Sequence, residues 1–354
     1  MRIIPHLLLL LPTLYVGINA SAVTIQSVCS PSTPITIRRE IRSLSSSELS
    51  DFLQAFQKLH AGPSPTLYDQ YVAVHLDNAP ANHNTPHFLP WHRLFTRVFE
   101  IALQKASGDS TMAIPYWDWS RDAKDPASSP VFNPSTFGTN GRPSDECVYD
   151  GSFTNWQCYY PETHCLQRRF NNGTRISPFY PISVMNQLVL SQKTFEEFWQ
   201  SLEPVPHNQV HQNIGGDMPN YWSVNDPLFF LHHSFVDKIY ADWQKQDPGP
   251  RQRDFVGSLS ETLPPYAFTV ADVMDHRGQL CYDYDDDNAG LLRRRQLQKR
   301  QADQEEWDLM PNELDAAWIE KMGFDVVKIR EWEAKAREII RNDHGLGGTF
   351  VQIG

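Results

Sequence analysis

Outside its first twenty-odd residues, the chain has no apolar run of the roughly 20 residues a membrane-spanning helix requires. A spanning segment in the mature protein is therefore excluded, and no membrane partner is expected. It also lacks a basic excess: 31 Lys and Arg stand against 42 Asp and Glu, a formal net charge of -11. No face able to neutralise phosphates follows from that balance, which excludes nucleic acid as a partner and leaves a neutral or cationic small molecule. Cysteine is scarce, with five in 354 residues and no pair at zinc-knuckle spacing, so a cysteine-based metal site is not expected. Internal repeats are absent too.

What is present first is a leader. MRIIPHLLLLLPTLYVGINASA combines one Arg, a short Leu-rich run and small residues up to Ala22, the pattern of a secretory signal cut after Ala22. Secretion to an oxidising compartment permits disulfides. Cys147 and Cys165 flank one loop segment and Cys29 and Cys281 sit near the two ends of the core; those pairings leave Cys158 over. The sequon Asn172-Gly173-Thr174 lies in a polar loop and is a candidate glycosylation site.

Helical periodicity is clear in SSELSDFLQAFQKL (residues 46–59), with Ser45 to Ser47 available as caps, and a second helix is expected over 66–76. Pro90 is placed to start a third, ending near Gly108. Residues 120–182 are loop-rich. Periodicity returns at 192–202, from Pro206, and from Asp226-Pro227 onward. After CYDYDDD the chain turns into a charged, Arg- and Gln-rich stretch. This divides it into a leader (1–22), a catalytic core (23–285), a linker (286–306) with a possible dibasic processing site at Lys299-Arg300, and a short helical tail (307–354).

Thirteen His are spread unevenly. One group is His75, His83, His87 and His92; the other is His207, His211, His232 and His233. His207 and His211 stand at i and i+4 and project from one helix face, as two ligands of one ion must. His92 shares a face with Phe95 and Phe99, which aims its ring inward. Buried imidazoles without partners are costly, and imidazole-only sites suit copper, zinc, iron or nickel. Two groups of three argue for two ions with open positions facing each other. A single-zinc hydrolase would leave one group without a role.

HNTPHFLPWHR (residues 83–93), then IPYWDW, HNQVH with IGGDM, NDPLFFLHH with Asp237, and Tyr282-Asp283-Tyr284 resemble, in this order, the tyrosinase and catechol oxidase family of type 3 copper proteins, over about residues 29–285. The likeness is closest to short, secreted fungal-type members. It implies a mainly α fold with long loops and little β structure, in which a four-helix bundle holds two coppers, each by three His, with dioxygen bound between them as co-substrate.

Carried over by motif, the first copper takes His83 and His92, with its remaining ligand upstream at His75 or His60; the eight-residue gap from His75 to His83 resembles the short fungal pattern and favours His75. The second takes His207, His211 and one of His232 and His233. Periodicity does not separate that pair, and the family pattern assigns His233, leaving His232 behind it. Asp237 is a candidate to orient a ligand ring, with Glu100 and Asp118 as weaker ones. Asn208 matches a position that in tyrosinases helps hold a basic water, and Glu196, with Glu197 in reserve, is the candidate carboxylate. Met218 and Tyr221 are expected at the pocket rim and His87 at the entrance. Ala81 stands where many relatives carry a thioether-forming Cys, so that crosslink is excluded. The implied reaction is oxidation of o-diphenols to o-quinones, extending to o-hydroxylation of monophenols, on a small phenolic or catecholic metabolite or a peptidyl tyrosine. The alternatives are a hemocyanin-like dioxygen carrier and a degenerate, structural copper fold.

Overall fold

A computed structural model describes residues 29–285, apart from Pro31, and 310–343. The expected leader (1–22), the linker (286–306) and Lys299-Arg300 lie outside the described residues. Helices dominate. α1 (Ser46–Leu59) starts at a capping box in which Ser45 and Glu48 satisfy each other's backbone N–H groups. α2 (Leu67–Asn82) starts the same way, with Thr66 and Asp69, and runs six residues beyond the expected end at 76. α3 (Phe88–Ser107) begins two residues before Pro90 and stops at Gly108, whose left-handed backbone (φ 81°) ends the ladder. α4 (Phe195–Leu202) passes through a widened π-type turn, Glu203–His207, into α5 (Asn208–Ile214). α6 (Leu228–Lys245) is buried along almost its whole length.

The core forms where α1 packs on α3 and α3 on α6. Phe99 and Phe230 stack across α3 and α6 with ring centroids 3.5 Å apart, and Phe56 and Phe95 close around them. A buried phenyl ring of this kind stabilises the fold by about 1.5–3 kcal/mol. The two ends of the core meet: β1 (Thr36–Arg38) pairs in parallel with a strand at Tyr282–Tyr284, and Cys29 bonds to Cys281 just before it. Cys147 bonds to Cys165, and β2 (Gln157–Cys158) pairs with β3 (His164–Cys165) in the intervening loop region, which makes Tyr282–Tyr284 β4. Among the described residues no helix is long and apolar enough to cross a membrane.

Three carboxylates expected near the metal ligands have other partners. Asp237 accepts from Arg93 Nε and from the hydroxyls of Tyr282 and Tyr284, and pairs with Arg38. Glu100 pairs with Arg38 and Arg97 and accepts the N–H of Ile114. Asp118 accepts from Ser120 and pairs with Arg121. Asp237 follows His233 by one turn, yet its carboxylate is claimed by two guanidinium groups and two phenols, so the Tyr-x-Tyr segment serves to neutralise and satisfy a buried ion cluster. Removing one member would leave an uncompensated charge, at a cost of about 3–5 kcal/mol.

The C-terminal segment joins the same body. α7 (Ala316–Lys321) and α8 (Val326–Asp343) bury Ile319, Ile329, Ala336 and Ile340 against the core. The Asn312 side chain accepts from Gln209 and Asn213 on the back of α5, and Trp318 Nε1 donates to the Pro219 carbonyl. The composition shift after residue 285 predicts a core that ends there; apolar side chains at helical spacing beyond residue 310 extend it.

Candidate metal centre

Seven buried or half-buried imidazoles form two adjoining groups, His75, His83 and His92 in one, His207, His211, His232 and His233 in the other, and within each group one ring nitrogen per residue lies within 4.8 Å of the rest. α2 supplies His75, the residue just past its end is His83, and the first turns of α3 bring His92. In this first group Nδ1 of His75 donates to the Tyr221 carbonyl (2.7 Å), that of His83 to Ala79 (3.0 Å) and that of His92 to Phe88 (2.8 Å). A carbonyl oxygen only accepts, so each Nδ1 carries the proton and each Nε2 is a bare lone pair. Nε2 of His75 and Nε2 of His92 then face one another at 3.3 Å with no proton to share.

The second group repeats the arrangement. His207 Nδ1 faces the Glu203 carbonyl (3.2 Å) and Asn208 Oδ1 (3.0 Å), and His211 Nδ1 donates to the Met218 carbonyl (2.7 Å). Nε2 of both, and both ring nitrogens of His232 and His233, are buried without a protein partner. Ring centroids of His207, His211 and His232 are 4.6 to 5.0 Å apart. His233 lies 5.0 Å from His207 and stacks on His92 of the first group at 4.4 Å, so it stands between the groups. Phe88 and Phe229 fill the surroundings, 4.7 Å from His207 and 4.1 Å from His233.

Burial holds all seven rings neutral. It pushes His83 down to about 4 and His211 to about 3, and lowers His75, His92, His207, His232 and His233 well below 6.5, with neighbouring imidazoles adding to the effect. Buried, unpartnered nitrogens cost about 1–3 kcal/mol each. Converging ring nitrogens in an apolar shell are the donor set of a pair of imidazole-bound transition-metal ions, with the Nδ1 of His75, His83, His92, His207 and His211 on a carbonyl as the orienting bond and no such bond at His232 and His233.

His60 is elsewhere: its ring stacks on Trp156 at 3.7 Å and its Nε2 meets the Gln157 carbonyl. His87 is half-buried at the start of α3 and pairs with Glu261 at 2.9 Å. Tyr221 is half-buried, its ring 5.6 Å from His83. Met218 is buried rather than at the rim, and what it contributes is its carbonyl. Asn172 is exposed.

Glu196 and Glu197 are exposed at the start of α4 and are not brought to the site; Glu196 bonds to Gln200 and Glu197 caps the helix. The carboxyl that is buried here is Glu203. It accepts the Asn84 N–H (2.7 Å) and Trp199 Nε1–H (2.5 Å), and burial raises its pKa to about 8. Its position four residues before His207 was a usable signal. Pro204 and Pro206 obscured it, because two prolines read as a helix stop, whereas the chain continues helically through a π-type turn.

Residues 65–246 match the family described as the common central domain of tyrosinase. A tyrosinase-like protein of Diaporthe leptostromiformis, phomQ1, is 34% identical over 312 residues, spanning 72% of this chain and 78% of that one. A polyphenol oxidase from Thermothelomyces thermophila, in a point-mutant form, superposes with a TM-score of 0.58 at 25% identity, covering 73% of this chain and 90% of that one. A functional unit of octopus hemocyanin does so with a TM-score of 0.52 at 25% identity, covering 76% and 74%. Helical core, paired histidine groups and these matches converge: the chain belongs to the tyrosinase family of type 3 copper proteins.

Proposed function

We propose that the protein oxidises o-diphenols to o-quinones with dioxygen and hydroxylates monophenols, acting on a small phenolic metabolite or a peptidyl tyrosine. The observation that carries this reading is the pair of buried histidine groups: ring nitrogens of His207, His211, His232 and His233 have no protein partner among the described residues, and Nε2 of His75 and Nε2 of His92 meet only each other. His75, His83 and His92 would hold one copper, and His207, His211 and His233 the other. Bound there, the coppers supply the dioxygen chemistry, while each catechol gives up two electrons and two protons in becoming a quinone.

The chain supplies the rest. Its neutral imidazoles add no charge to the ions, and Phe88 and Phe229 keep water from the space between the groups. Tyr221, half-buried beside His83, limits how a phenol ring enters. Hydroxylation of a phenol first needs its proton removed. Asn208 is the residue assigned to hold a water for that step; Glu196 does not reach it, and Glu203, which keeps its own proton below about 8, is not the base. The leader and the exposed sequon at Asn172 support a secreted, glycosylated protein with residues 1–22 removed.

The likeness to a hemocyanin unit favours a second reading, a dioxygen carrier. Copper analysis of the purified chain, followed by oxygen uptake with a catechol and with its parent phenol, separates the readings. Two coppers per chain with quinone formation from the catechol is the expected result; reversible oxygenation without quinone would point to a carrier.

A further inference from the structure

Among the described residues, one further group of donor atoms lies outside the paired histidine site. Cys158, His164 and Asp217 each offer a ligand atom, all within 4.8 Å of one another. They come from three segments: Cys158 on β2 faces His164 on β3 directly across the strand pair, and Asp217 follows Gly215-Gly216 in the loop after α5. Cys158 is the cysteine left unpaired by the two disulfides and is 1% exposed. Asp217 is also buried, while the side chain of His164 is 18% exposed and gives the group an edge on solvent.

The surrounding bonds are those that orient metal ligands. His164 Nδ1 donates to the Glu162 carbonyl (2.7 Å), leaving Nε2 aimed at Asp217 Oδ1 (2.8 Å). Asp217 Oδ2 accepts the Gln167 N–H (2.9 Å), so its other oxygen alone faces the imidazole. A ring nitrogen on a backbone carbonyl and a carboxylate oxygen on a backbone amide are the usual supports of a ligating His and Asp. The backbone behind Asp217 packs directly on the 167–169 segment. Gly215 and Gly216 have φ of 68° and 63°, and a Cβ on them would stand 2.0 Å from the Arg169 carbonyl oxygen and 2.2 Å from that of Gln167.

We propose that Cys158, His164 and Asp217 bind one zinc ion, separate from the two coppers, with water in the fourth position at the solvent edge. A thiolate, an imidazole and a carboxylate together suit this borderline cation. Copper(I) has no use for the carboxylate, and magnesium or calcium none for sulfur or nitrogen. Without metal, both partners of His164 only accept, so its ring carries two protons and pairs with the Asp217 carboxylate. Zinc binding releases one proton from Nε2 and one from the thiol. The summed charge of the site is zero before and after, so the buried carboxylate and thiolate are never left uncompensated. The ion would tie the β2–β3 pair to the loop whose Met218 and Tyr221 carbonyls orient His211 and His75.

The test is metal analysis of the copper-loaded full chain after exposure to zinc and a wash with a weak chelator. Wild type is expected to retain one zinc with its copper unchanged, and Cys158→Ser and His164→Gln to lose at least about tenfold in zinc retained while keeping their copper. Cobalt in place of zinc should give a thiolate-to-cobalt charge-transfer band, lost in Cys158→Ser. Wild type that retains no zinc, or both variants retaining as much as wild type, overturns the proposal. Should Cys158→Ser misfold, His164→Gln on the half-exposed strand decides.

Discussion

The backbone N–H of Asn84 donates to Oε1 of Glu203 across 2.7 Å, which ties the residue after His83 to the turn that ends in His207. One buried carboxyl therefore sets the spacing of the two histidine groups from outside. Glu203→Ala strands the Asn84 N–H and the Trp199 indole N–H, and is expected to destabilise the protein by about 2–4 kcal/mol. Glu203→Gln keeps a carbonyl oxygen for one of them and should cost less than half as much. Chemical denaturation of the two variants beside wild type checks the order.

The same carboxyl predicts a pH dependence. Burial raises its pKa from 4.5 to about 8, so the folded state holds a proton that the unfolded state gives up between those values. Its stabilising contribution is full below 4.5 and is lost as pH rises through about 8, by a few kcal/mol in all. Glu203→Gln, neutral throughout, should lack this slope, and its stability relative to wild type should rise across that window. Parallel profiles would show that Glu203 ionises normally.

In metal-free protein the histidines act in the opposite direction. Their pKa values are lower folded than unfolded, about 4 for His83 and about 3 for His211 against 6.5, so unfolding takes up protons in acid. Stability present above 6.5 should fall away as pH drops toward 4 and 3. Melting temperature of the apoprotein, followed downward from neutral pH, is the measurement. A flat profile would contradict the neutral, buried state of these rings.

Which of two adjacent histidines completes the second group is open to a direct count. His233 stacks on His92 and faces the first group, whereas His232 packs beside His207, 6.3 Å from Trp119. His233→Ala is expected to halve the bound copper, and His232→Ala to leave it near two ions with altered activity. The reverse pattern would transfer the ligand role to His232.

Asn208 Oδ1 lies 3.0 Å from His207 Nδ1, and its amide donates to the Pro204 carbonyl. Asn208→Gly should lower phenol hydroxylation about tenfold or more while lowering catechol oxidation only severalfold, the split expected when a proton-transfer step is affected more than oxidation. Equal losses would mean that the residue only positions the ring.

The order of motifs, the i,i+4 spacing of His207 and His211, the capping signal at Ser45 and the helix start at Asp226-Pro227 are local properties of the chain, and they made the helical core and the histidine groups legible without coordinates. Other features were not local. Asp237 was misread because its partners, Arg38, Arg93, Tyr282 and Tyr284, come from three distant segments, and only their convergence shows that a buried carboxylate must neutralise guanidinium groups rather than orient a ring. Glu203 is hidden in the sequence because Pro204 and Pro206 read as a helix stop, and its burial appears only in the fold. The segment beyond residue 310 looked like an appendage until Asn312 and Trp318 met the back of α5 and its following loop. Sequence alone determined which histidines could gather into two donor groups. Tertiary structure decided which of them lose water and which partners replace it, and that exchange sets their charge and their role.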